Sequence, residues 1–376
     1  MSFDMKDVPK VRLGDYIRRS TINNHDLKYG IELIEGVTNE GVFSKPKGDP
    51  LDVDLKPYKI VNTGAFVYNP SRLNLGSIAY RTGGLCIVSH LYIVFYLNEK
   101  GKEAIDPDYL YIYFRRDEFY REVTFRNFGS QRPEFNFNDM SDIMIPLPDI
   151  AVQRKYVAIY KAMVANQQSY ERGLEDLKLS MDTLLDKIKH TSEVIPVGDL
   201  LIDVDCRNET GEITEVHGIN ITKQFMPSVA DTTGVNLNNY KLVKKGQFAY
   251  SGMQTGRDEC IRIALYQGDK PIIISPAYST FEVKEKSVLA EYIMVWFSRA
   301  QTDRRGWFMS DSSIRTNLDL ERFYEIKIPV PEMKMQSAIV ELYSAYTSRR
   351  DISEQLKAQI KDICPILIKG SLEEGR

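Results

Sequence analysis

The chain is written twice. Tyr58-Lys59-Ile60-Val61-Asn62-Thr63-Gly64-Ala65-Phe66-Val67-Tyr68 returns 182 positions on as Tyr240-Lys241-Leu242-Val243-Lys244-Lys245-Gly246-Gln247-Phe248-Ala249-Tyr250. Ile143-Met144-Ile145-Pro146-Leu147-Pro148, with Gln153 beyond it, returns 183 positions on as Ile326-Lys327-Ile328-Pro329-Val330-Pro331 with Gln336. The near-constant shift means one unit used in tandem. Solenoid repeats run to roughly 20 to 50 residues, so this unit is domain-sized, and a chain of 376 residues has room for two cores.

Hydrophobic residues make up 43% and charged residues 27% of the chain, enough apolar surface to pack rather than stay disordered. No apolar run approaches the roughly 20 residues of a membrane span. Met1-Ser2-Phe3-Asp4-Met5-Lys6-Asp7 has no apolar signal core, so a cytoplasmic protein without a membrane partner is expected. Cys86, Cys206, Cys260 and Cys364 are far apart and form no C-x-x-C, which suggests neither a disulfide framework nor a zinc site. With 49 Lys+Arg against 52 Asp+Glu, the net charge is -3. A nucleic-acid ligand would therefore require cations gathered on one face of each unit, because phosphate neutralisation supplies most non-specific affinity.

Val11 to Ile17 opens the first unit and Ile195 to Leu201 the second. β-branched and aromatic runs broken by Gly, Pro and Asn predict strands at Ala65–Tyr68, Ser77–Tyr80 and Ile87–Leu97. Counterparts fall at Gln247–Tyr250, Ile261–Tyr266 and Pro271–Val283. A helix over Pro107–Tyr120 is matched by one over Ala290–Arg299, with Tyr109, Ile112 and Tyr113 parallel to Tyr292, Val295 and Trp296. The class is α/β, in the mixed α+β sense. The I-x-I-P-x-P element that closes each unit forces an extended exit, since proline removes a donor and disfavours helix in its predecessor.

Beyond each exit a long helix is expected. Tyr160, Met163, Gln167, Tyr170, Leu174, Leu177, Met181, Leu184 and Ile188 are spaced alternately by three and four, the a/d seam of a coiled coil. The second seam is Ile339, Leu342 and Tyr346, a polar break at Arg349 and Ser353, then Leu356, Ile360, Ile363 and Leu367. The two seams most simply pack on each other, antiparallel, with the two lobes in pseudo-twofold arrangement; the blander alternative is that each helix only covers its own lobe. Pro365 should kink or end the second helix. The expected division is 1–149 for the first lobe, 150–190 for a central helix, 191–332 for the second lobe and 333–376 for a C-terminal helix. At about 1.5 Å per residue the central helix spans close to 60 Å, more than one turn of DNA at about 34 Å.

The repeated lobe, the I-P-x-P-x-x-x-x-Q leading into a long helix, Gly64 to Asn69 with Ser89 to Phe95, and Gly246 to Tyr250 with Ser275 to Phe281 resemble the specificity (S) subunit of type I restriction-modification systems. The resemblance covers essentially the whole chain. It implies two target-recognition domains, each reading one half of a split double-stranded DNA sequence, and helices that set the gap and hold two methylation (M) subunits. Restriction (R) subunits join that core. It further implies no cofactor on this chain, with S-adenosylmethionine and ATP carried by the partner subunits.

Reading base edges and phosphates takes Arg, Lys, Asn, Gln and hydroxyl groups on loops. The first lobe offers Arg72 and Asn74, and a loop with Arg126, Ser130, Gln131 and Arg132. At matching places the second offers Gln254 and Arg257, and Ser312, Ser313 and Arg315. Lys45 and Lys47, with Lys223 and Gln224 near their place in the second copy, are weaker candidates. The bland alternative for each is an exposed loop residue without a ligand. Catalysis finds little support. The chain has no Pro-Pro, hence no [DN]-P-P-[YF] of an amino methyltransferase, and Asp106-Pro107-Asp108-Tyr109 reads better as a helix start. Neither G-x-G-x-x-G nor G-x-x-x-x-G-K-[ST] occurs. His25, His90, His190 and His217 have no metal spacing, and Glu325-Ile326-Lys327 lacks a counterpart acid-x-lysine in the first copy. Two other readings remain: a coiled-coil interaction scaffold without nucleic acid, and a self-sufficient DNA methyltransferase.

Overall fold

The computed structural model describes residues 8–46, 48, 53–126, 134–229, 234–253, 255–311 and 316–375. They form two compact units, 1–170 with 352–376, and 171–351. The division cuts both long helices, so each unit owns one lobe and one half of each helix.

The first unit contains β1 (Lys10–Arg12), β2 (Ile17–Ser20), β3 (Gly36–Val37), β4 (Phe43–Ser44), β5 (Lys59–Val61), β6 (Phe66–Tyr68), β7 (Ile78–Tyr80), β8 (Cys86–Val88), β9 (Ile93–Leu97), α1 (Glu99–Ala104), α2 (Pro107–Phe114), α3 (Asp117–Arg126), α4 (Phe137–Ser141) and β10 (Met144–Pro146), and leads into α5 (Ile150–Thr191). The second contains β11 (Glu193–Pro196), α6 (Val197–Leu200), β12 (Leu201–Asp203), β13 (Val216–Ile219), β14 (Phe225–Pro227), β15 (Lys241–Val243), β16 (Phe248–Ser251), α7 (Thr255–Asp258), β17 (Arg262–Leu265), β18 (Ile272–Ile274), β19 (Ser279–Val283), α8 (Ala290–Phe297), α9 (Ala300–Met309), α10 (Leu320–Tyr324) and β20 (Lys327–Val330), and leads into α11 (Met333–Glu374).

The main sheets have the same order, β2-β9-β6-β7 and β12-β19-β16-β17. Their central registers also match: Phe66 lies opposite Phe95 and Tyr80, and Phe248 opposite Phe281 and Leu265. The runs FVY and FAY do not alternate with polar residues because both faces are covered. Phe66 and Tyr68 enter the core under the helices, whereas Val67 enters a second core with Val61, Ala79, Cys86 and Val88. Phe248 and Tyr250 divide from Ala249 in the same way. Each buried Phe contributes about 1.5–3 kcal/mol.

Two sequence expectations are corrected here. The run Ile87–Leu97 is two strands in different sheets, β8 and β9, joined by a turn at Ser89–Tyr92; Pro271–Val283 divides likewise into β18 and β19. The helix over 107–120 is two helices, α2 and α3, and α8 is followed by α9. Asp106 caps α2 by accepting from the Asp108 and Tyr109 amides, with Pro107 at the first turn, so the Asp-Pro-Asp-Tyr stretch is a helix start.

The closing strand of each lobe pairs with its opening strand, β10 with β1 and β20 with β11. The long helix that follows is then fixed by a glutamine. Gln153 is fully buried: its Oε1 accepts from the Asp106 amide at 2.9 Å, and its Nε2 donates to the carbonyls of Ala104 (2.9 Å) and Pro148 (2.8 Å). Gln336 does the same 183 positions on, with the Leu289 amide (2.9 Å) and the carbonyls of Ser287 (3.0 Å) and Pro331 (2.8 Å). Each amide thereby uses both its acceptor and its donors on backbone groups of its own lobe and exit strand.

Within the first unit α5 and α11 run antiparallel, since Lys155 pairs with Glu374 and Gln167 with Ser353. Gln167 and Ser353, one polar member of each seam, are both buried. Tyr160 and Ile363 pack on the first lobe's core, and Met163, Tyr170, Leu356 and Ile360 are half-buried along the seam. In the second unit Gly173 lies against Arg349, and Met181, Leu184, Ile188, Ile339 and Leu342 join the second lobe's core. Leu174, Leu177 and Tyr346 are half-buried. Val157 and Leu185 are buried as well, outside the a/d series, because the helices also cover the lobes. Pro365 does not end α11, which continues to Glu374; past it Leu367, Ile368 and Leu372 are buried in the first lobe's core. That burial outweighs the roughly 3 kcal/mol cost of an interior proline.

Candidate nucleic-acid interface

In the first unit the turn that carries Arg72 and Asn74 meets α3, which ends at Arg126. Leu73 of the 3-10 turn Leu73–Leu75 is buried with Phe119 and Val123 of α3. The turn can close because Gly76 takes φ +97°, a conformation costly for residues with Cβ. Arg72 and Asn74 stand exposed on it. The Phe135 amide donates to the Pro70 carbonyl at 3.0 Å, so the chain leaving segment 127–133 returns beside the turn. Arg126 ends α3 and is held along its own helix by Glu122, at 2.8 and 3.1 Å.

The second unit repeats this arrangement. Leu318 donates to the Gly252 carbonyl (2.9 Å), and Gly256 to that of Thr316 (3.0 Å). These bonds bring α7, with exposed Arg257, beside the segment that follows α9. Ser130, Gln131, Arg132, Gln254, Ser312, Ser313, Arg315 and Lys47 lie outside the described residues. Lys45 is exposed after β4.

Lys223 is a correction. It occupies the β13–β14 turn with φ +61°, and its ammonium folds inward to pair with Asp303 of α9 and donate to the Ile261 carbonyl. Asp303 also accepts from the Ile261 amide at 3.0 Å. Buried and doubly bonded, this lysine fastens a hairpin and is not offered to a ligand. In the first lobe the corresponding fastening comes from the other side, from Arg115 to the carbonyls of Asn39 (3.2 Å) and Gly76 (2.8 Å).

Burial pushes the matched Tyr109 and Tyr292 hydroxyls up to about 12 each. Both therefore stay neutral: Tyr109 shares a hydrogen bond with Ser371 at 2.7 Å, and Tyr292 donates to the Pro329 carbonyl at 2.6 Å. They join lobe to helix and to exit strand. Among the described residues no three His, Cys, Asp or Glu side chains converge as a metal site, and no helix is long and apolar enough to cross a membrane.

The polar-residue reading missed one further pair. Phe125 of α3 is 82% exposed and Phe308 of α9 is 84% exposed. The signal was available, because Arg121-Glu122-Val123-Thr124-Phe125 and Arg304-Arg305-Gly306-Trp307-Phe308 stand at the same 183-residue shift.

One lobe built twice, each with polar residues at equivalent places and each followed by a long helix, makes this a protein with two related heads. The Type I restriction modification DNA specificity domain matches residues 1–177 and 202–362. The chain belongs to that family, and it is a DNA sequence-specificity subunit. No curated protein matches the chain. Among solved structures, the type I restriction-modification S subunit from M. genitalium is 14% identical, with 99% of this chain and 98% of that one covered and a TM-score of 0.62. The HsdS subunit from Thermoanaerobacter tengcongensis is also 14% identical, with 98% and 97% covered and a TM-score of 0.39.

Proposed function

We propose that this chain selects a bipartite duplex for a multisubunit restriction-modification enzyme and performs none of the chemistry itself. Each lobe reads one half-site through the segments around Arg72, Asn74 and Arg126, or around Arg257 and residues 312–315. The paired helices set the gap and hold two methylation subunits that bring S-adenosylmethionine, and restriction subunits that use ATP join this core. One observation carries the reading. The frame is the same in both lobes down to a three-bond glutamine clamp, while the segments beside Arg72 and Arg257 share polar character but not residues. A constant frame with divergent loops suits two different half-sequences.

The test is an exchange. With residues 1–149 replaced by a lobe from another specificity subunit, sequencing of modified bases in cells should show one half-site changed and the other half and the gap intact. Changes in both halves would sink the proposal. Binding by the assembled protein should also fall steeply with salt.

A further inference from the structure

The exposed Phe125 and Phe308 have no role in holding their lobes together. Phe119 and Val123 turn α3 toward the core, and Phe125, two residues beyond Val123 and thus about 200° round the helix, points away from it. In α9, Thr302 and Gly306 are buried and Phe308 points away likewise. Arginine stands four residues before each phenylalanine, on the same helix face. Arg121 is exposed and reaches only Glu118, at 3.5 Å, a surface pair worth little and easily exchanged for a phosphate. Arg304 and Arg305 have no ion-pair partner among the described residues; the neighbouring Asp303 is engaged by Lys223. Trp307, half-exposed, widens the aromatic surface of the second copy.

Resting on the DNA reading above, we infer that Phe125 and Phe308 are duplex-contacting wedges, one per half-site, each stacked on or pressed between bases while Arg121 or Arg304 holds the adjacent phosphate. Three features favour a duplex over a protein partner as the occupant. The aromatic stands one residue before the candidate Arg126 in the first copy and four before the candidate Ser312 in the second. A cation stands in register with it in both copies. Its chemistry is the part of the interface that tolerates any sequence, since every base offers a π-face and apolar side chains enter base steps without reading them. That last property explains why duplication preserved this Arg-x-x-x-Phe while the polar residues beyond it diverged.

The test uses the full chain assembled with its methylation subunits and a duplex carrying the target found by modification sequencing. Phe125→Ala and Phe308→Ala should each weaken duplex binding about tenfold to a hundredfold, with Phe→Trp close to wild type and thermal unfolding unmoved. Neither alanine variant should alter the salt slope, whereas Arg121→Ala and Arg304→Ala should each reduce it by about one. Alanine variants that bind like wild type overturn this inference and leave the DNA reading standing. Alanine variants that shed the methylation subunits on a sizing column also overturn it, in favour of a protein contact. A wild-type assembly that fails to retain duplex overturns both.

Discussion

Replacing Gln336 by leucine removes a side chain of similar size from a fully buried site and strands three backbone groups at once, the Leu289 amide and the carbonyls of Ser287 and Pro331. An unsatisfied buried group costs about 1–3 kcal/mol, with the carbonyls, above all that of exposed Ser287, at the lower end or below it. Offset by the added apolar burial of leucine, the net loss is about 3 kcal/mol. Both tryptophans, Trp296 and Trp307, lie in the second unit, so intrinsic tryptophan fluorescence follows that unit alone. With a urea slope of about 1–3 kcal/mol/M, the fluorescence midpoint should fall by about 1–3 M. Gln153→Leu should leave it nearly unmoved and shift the far-ultraviolet transition instead. Gln336→Glu makes the loss depend on pH. Its carboxylate keeps the acceptor for Leu289 but faces two carbonyls, so the folded-state pKa is raised and the deficit grows as pH climbs past about 4, the ordinary Glu value. Acidification should recover part of it, because the protonated group can donate once. A midpoint shift worth less than about 1 kcal/mol in Gln336→Leu, or a deficit in Gln336→Glu that shrinks with rising pH, would refute the clamp.

Three other outcomes are expected. Gly64→Ala and Gly246→Ala meet nothing within 4 Å, but both positions have φ near +90°, so each should cost only the left-handed strain of about 1–2 kcal/mol by chemical denaturation. Replacing both Gln167 and Ser353 with leucine should raise the melting temperature while weakening the unique register of the helix pair, seen as mixed species by native mass spectrometry or crosslinking. Of the four thiols, exposed Cys206 should react rapidly with a disulfide reagent. Cys86, Cys260 and Cys364 should stay silent until unfolding, because burial pushes Cys86 up to about 12, Cys364 up to about 11 and Cys260 in the same direction.

The duplication, the exit element and the long helices were legible because each depends on local pattern: prolines at alternate positions, a three-four spacing, a repeated glycine. The clamp glutamines were visible as a repeated letter, but their role was not, because their partners stand some 47 residues away. Lys223 misled for a related reason. A lysine on a turn reads as exposed, and only the fold brings Asp303, 80 positions on, beneath it. Pro365 misled in the opposite sense, since local propensity argued for a stop and tertiary burial overrode it. The exposed phenylalanines carry no hydrogen-bonding chemistry, so a polar pattern does not mark them, and an apolar residue on a helix reads as core until its face is known.

Glu193 and Val330 face each other across the β11–β20 pair, at most two residues from the end of α5 and three from the start of α11. Topologically the second head is an elaborate connection between two antiparallel helix segments, and deleting residues 194–329 would leave a gap that a short turn could bridge. Covalently, the part of the chain that must diverge to follow new sequences enters and leaves through a single doorway. Substitutions or insertions in its loops can be drastic without asking the helical frame to move, as long as the core shared with Met181, Leu185, Ile188 and Ile339 is kept.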